Sequence, residues 1–147
     1  MRPLRLLALT LAFTLAFTGA CSETPTVGDR VDSIENSEVS AVVLGSPTLP
    51  GAIVDVRFTN IGDRQYWFSP CTRTVERLVG DAWIALPDEL RICTAEVYLL
   101  RANGEVLRPT DVPVDATTGT YRFVFALVPD TGPGRAFPLV SAPFSVR

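Results

Sequence analysis

The side chains able to do covalent or proton-transfer chemistry are few: three cysteines, at 21, 71 and 93, and sixteen carboxylates, with no histidine and no lysine among 147 residues. That inventory excludes Ser-His-Asp and Cys-His constellations, a Schiff-base amine and a Ser-Lys dyad. A zinc site would lack ligands, because there is no imidazole and no C-x-x-C. Paired carboxylates of the glycosidase kind remain, with Asp88, Glu89 and Glu96 as the candidates. Adjacent strand residues point to opposite faces, so Asp88 and Glu89 converge only in a loop, and they read as solvated turn residues. Gly132-Pro133-Gly134 lies between two strand-like runs and reads as a hairpin tip, not as a phosphate-cradling loop before a helix. No catalytic residue, metal or cofactor is expected, and the chain is not expected to be an enzyme.

Cys21 has a context of its own. Arg2 and Arg5 form a positive start, residues 6–17 an apolar run, and Gly19-Ala20 a pair of small residues before the cysteine. This is the pattern of a signal peptide over residues 1–20, shorter than the roughly 20 apolar residues of a transmembrane helix. The region resembles a bacterial lipobox, with Thr18 where that motif usually carries Leu, Val or Ile. The resemblance implies an acylated (palmitate-bearing) Cys21 as the mature N-terminus and a lipid anchor in the cell envelope. With Ser22 next, it implies the outer membrane where the source has one. The alternative is a secreted chain cleaved after Ala20.

Without the leader, 11 Arg face 16 acids, a net charge of −5. A duplex binder needs a basic stripe to release phosphate counterions, so nucleic acid is not an expected partner. Cys71 and Cys93 form an even pair in an exported chain and are expected to be disulfide-bonded. Closing a loop of that length stabilises by about 3 kcal/mol in the chain-entropy account.

The elements that must position these residues are strands. Residues 21–37, poor in large apolar side chains, read as a flexible tether, and 38–147 as one domain. Strands are expected over 39–44, 52–59, 65–69, 73–79, 82–86, 94–101, 105–108, 121–128 and 137–146. In the second, Val54, Val56 and Phe58 alternate with Asp55, Arg57 and Thr59. Gly80-Asp81 is a two-residue link of the hairpin kind, and its register sets Leu78 opposite Trp83. Residues 88–94 have room for one helical turn.

Short strands punctuated by turns predict an all-β antiparallel sandwich of seven or eight strands. Trp67 lies where immunoglobulin-like sandwiches bury a tryptophan between sheets, and Gly119-Thr120-Tyr121-Arg122-Phe123 opens a strand as a tyrosine corner does, with Phe123 at the place of the usual cysteine. Together with Arg57-Phe58-Thr59-Asn60, Gly80-Asp81-Ala82-Trp83 and Leu86-Pro87, these segments resemble small bacterial immunoglobulin-like domains of secreted lipoproteins. The resemblance implies a non-catalytic envelope lipoprotein whose domain binds or scaffolds an envelope protein or a glycan. The alternative function is a loop-presenting protease inhibitor of β-sandwich type.

Two surfaces are candidates for contact. Loops held by a rigid sandwich are one, here 60–64 and 129–136 with Arg64, Asp130 and Arg135. The other is the sheet face bearing Tyr66 and Phe68, either of which could serve as an aromatic platform if that face is open.

Overall fold

Alternation of apolar and polar side chains places most of the chain in strands. The structure, a computed structural model, describes residues 38–87, 96–131 and 135–147. The tether, Cys21, Cys93, Asp88-Glu89 and the site of the expected helical turn lie outside these residues. In chain order the strands are β1 (Val39–Val43), β2 (Ile53–Asn60), β3 (Tyr66–Phe68), β4 (Thr74–Val79), β5 (Ala82–Ala85), β6 (Tyr98–Leu100), β7 (Gly104–Asp111), β8 (Gly119–Pro129), β9 (Phe137–Val140) and β10 (Phe144–Val146). They form two antiparallel sheets in a β-sandwich-like, all-β fold: β1-β2-β7, and a seven-stranded sheet in the order β5-β4-β8-β3-β6 with β9 and β10 also on β8.

β8 organises the larger sheet. One of its edges carries β3 and then β4, separated by a 3-10 turn over Pro70–Thr72; the other carries β9 and then β10. Each of these edges is one line of chain broken in the middle: the first break falls between the runs expected over 65–69 and 73–79, and the second divides the single strand expected over 137–146. At the second break, Ser141 N–H donates to the Phe123 carbonyl (2.8 Å) while its Oγ accepts from Phe123 N–H (2.9 Å), and Ala142 N–H turns to Ala41 of the other sheet (2.8 Å). That bond ties the edges of the two sheets together. A parallel bridge of Thr48 to Val146 covers the edge of β10.

Between the sheets, Val54, Val56 and Phe58 of β2 meet Phe68 of β3 and Phe123, Phe125 and Leu127 of β8, all buried. Phe58 lies 4.3 Å from the Phe68 ring and 4.8 Å from that of Phe125, contacts that cross from one sheet to the other. Burying each such side chain stabilises the fold by about 1.5–3 kcal/mol. Tyr121 is also buried, and its hydroxyl donates to the Thr117 carbonyl (2.7 Å), four residues back.

Several sequence expectations need correction. Trp67 is not buried between sheets: it is 37% exposed, while its neighbours Tyr66 and Phe68 are inside. In a three-residue strand either the middle residue or the two flanking ones can face the core. Here the flanking pair wins, Phe68 against Phe58 and Tyr66 edge-on to Phe137 at 5.4 Å. β7 runs past Arg108 to Asp111, because it is an edge strand and tolerates Pro109.

Candidate functional site

Asn60, the last residue of β2, is where the candidate loop is built. Its side chain is buried at 1% exposure, with the amide donating to the carbonyls of Arg64 (2.6 Å) and Arg101 (2.9 Å) and the oxygen accepting from Gly62 N–H (3.0 Å). An Asx turn of this kind satisfies backbone groups that the end of a strand leaves open. Ile61 N–H reaches the Glu38 carbonyl (2.8 Å) just before β1, and Asn103 N–H reaches the Gly62 carbonyl (3.1 Å) from the β6–β7 turn. The loop is therefore fastened on three sides, with Ile61, Asp63 and Arg64 left exposed.

β3 and the end of β8 join a second loop to it. Asp130 N–H donates to the Gln65 carbonyl (3.0 Å). The Asp130 carboxylate accepts from Trp67 Nε1 (2.6 Å) on one oxygen and from Gln65 Nε2 (3.3 Å) on the other. The structure thus brings the loops at 60–64 and 129–131 to one end of the sandwich. There Asp130 acts as a brace, both of its oxygens being engaged within the domain. Arg64 and Arg135 are exposed, and 132–134 lie outside the described residues. Charge at this end is mixed, with Arg64, Arg101 and Arg135 against Glu38, Asp63 and Asp130, so no field of a single sign is presented.

Tyr66 and Phe68 belong to the core and offer no platform, because at 4% and 2% exposure their rings are already spent on packing. The aromatic side chain available from β3 is Trp67, whose indole edge is held by Asp130. Sequence reasoning had the right strand and the wrong face. Gln65, which completes the brace, carries no signal of its own in the sequence.

A second polar cluster lies where β6 and β7 pass the 3-10 turn. The Tyr98 hydroxyl donates to Glu96 (2.5 Å), and the Arg108 guanidinium lies 3.9 Å over the Tyr98 ring. The bond to the Glu96 carboxylate, then burial and the negative charge of Glu96, hold the Tyr98 phenol above its ordinary ionisation range, against the pull of Arg108. Arg73 is buried, pairs with Asp111 (2.8 Å) and lies 5.2 Å from the Phe123 ring. Cys71 shares the rim of the groove between these groups, which encloses about 140 Å³. Pockets that hold small-molecule ligands span roughly 300–1,000 Å³, so this groove is small for a ligand site. Glu96, the one carboxylate candidate among the described residues, is bonded to a phenol here and has no second carboxyl in the groove beyond Asp111, which is paired with Arg73. No family model matches the chain, and neither a curated protein nor a solved structure matches it.

Proposed function

We propose that this chain is a bacterial envelope lipoprotein, anchored through an acylated Cys21, whose immunoglobulin-like domain acts by binding another envelope component. The observation that carries the reading is the braced end of the sandwich: Asn60 and Asp130 fix two loops in one arrangement and leave Ile61, Arg64, Trp67 and Arg135 facing solvent. A pre-ordered surface loses less side-chain and loop entropy on association, and Trp and Arg are enriched where binding energy concentrates. The tyrosine-corner bond from Tyr121 to Thr117 and the pairing of β1, β2 and β7 opposite the β8 sheet support the immunoglobulin-like reading. The anchor rests on the leader and the residues before Cys21, and the Cys71–Cys93 bridge on the even pair in an exported chain.

Cross-linking in the membrane fraction, followed by capture of the tagged chain, tests the binding surface. Trp67→Ala with Arg64→Ala and Arg135→Ala should each hold stability within about 1 kcal/mol of the parent while weakening capture of the cross-linked partner. Undiminished capture by all three variants would place the contact elsewhere. The anchor is tested separately: Cys21→Ala should leave the membrane fraction, and mass spectrometry of the parent should find acyl chains on Cys21.

A further inference from the structure

From the β4–β5 hairpin we infer that two copies of this chain pair through β5, edge to edge and antiparallel, about a two-fold axis at Ile84. Among the described residues β5 has one neighbour, β4, so it forms the outer edge of the seven-stranded sheet. Exposed edges are ordinarily blunted by charge, proline, a bulge or shortness. The free edge of β7 has Glu105, Arg108, Pro109 and Asp111, and β6 is only three residues long. β5 reads Ala82-Trp83-Ile84-Ala85, with no charge and no proline.

The register says which main-chain groups are free. In a hairpin closed by Gly80-Asp81, the flanking pair Val79–Ala82 exchanges both of its bonds, and bonded pairs then alternate. The Leu86 N–H that reaches the Val75 carbonyl (2.9 Å) continues the series. The amides and carbonyls of Trp83 and Ala85 therefore turn away from β4, towards the open edge.

The same register selects a second copy as the occupant. A two-fold axis through Ile84 sets Trp83 of one copy against Ala85 of the other and forms about four main-chain hydrogen bonds. Large then faces small on the outer side, so each indole, already under the Arg122 guanidinium at 4.3 Å, gains room beside an alanine. On the inner side Ile84 meets Ile84. That side chain is 50% exposed, and its neighbour Val79 is 55% exposed. Because β5 itself carries no charge, the two-fold operation opposes no like charges within the paired strands.

Oxidative cross-linking of the full chain, in its membrane or in detergent, tests the pairing. Ile84→Cys should give a disulfide-linked dimer, since side chains opposed on the axis are about 5 Å apart. Asp81→Cys should not, because its counterpart would lie about 20 Å away. Adding Ala85→Pro removes an amide that serves only the free edge and should abolish the cross-link. A variant with the hairpin's charge changed guards against misfolding: Ile84→Lys copies should not co-purify with one another, but should co-purify with Ile84→Glu copies. Equal cross-linking at 81 and 84, a dimer that survives Ala85→Pro, or no association of the Lys and Glu copies would overturn the pairing.

Discussion

Asn60 shows how much of a surface one buried side chain can set. Its three hydrogen bonds serve groups on two loops, and among the described residues no other side chain bonds both the Arg64 and the Arg101 carbonyls. Replacing it with alanine strands those groups at a buried site, and Asn60→Ala should lose about 2–4 kcal/mol in a urea titration. Asp130→Ala removes bonds of similar length from an exposed site, where water replaces them, and should lose less than about 1 kcal/mol. A smaller loss for Asn60 than for Asp130 would contradict the assignment of the two residues as buried organiser and exposed brace. The sequence Asn60-Ile61-Gly62-Asp63 announces a turn, because Asn and Gly are turn formers. It does not announce that the asparagine also holds the chain near Arg101, since that contact joins residues 41 positions apart.

At the scale of elements, what was legible is what is local. The alternation of β2 and the Leu78–Trp83 register of the hairpin need only neighbouring residues and a two-residue link, and the structure has both. Gly80 supplies the positive φ of 60° that this link requires. The division of β3 from β4 was legible, as separate runs over 65–69 and 73–79; that of β9 from β10 was not, because it exists only relative to β8, to which both strands are paired. The orientation of Trp67 was missed for the same reason, its face being decided by Phe58 and Phe137 on other strands. The start of β8 was legible as far as Tyr121, whose bond to Thr117 fixes the crossing into the strand. Tyr121→Phe keeps the buried ring and loses only that bond, so it should destabilise by about 1–2 kcal/mol, measured by thermal or urea unfolding. No change in stability would mean that the Thr117 carbonyl finds water instead.

The described part of the molecule has two ends with different attachments. Val39, paired with Asn60, enters beside the braced loops, whereas Val146, paired with Gly119 and bridged to Thr48, finishes at the other end. Tension applied between residues 38 and 147 therefore runs along β1 and β10, at right angles to the hydrogen bonds that hold them to β2, β8 and Thr48. Bonds loaded in this way share the force and fail together. Tension applied across the sheet at the tip of the β4–β5 hairpin opens its bonds one after another. In a single-molecule pulling experiment the first direction should need the higher force, and equal forces would count against the pairings of β1 and β10. A domain of this build is a mechanical link: stiff along the line from residue 38 to residue 147, and weakest where β5 can be peeled away.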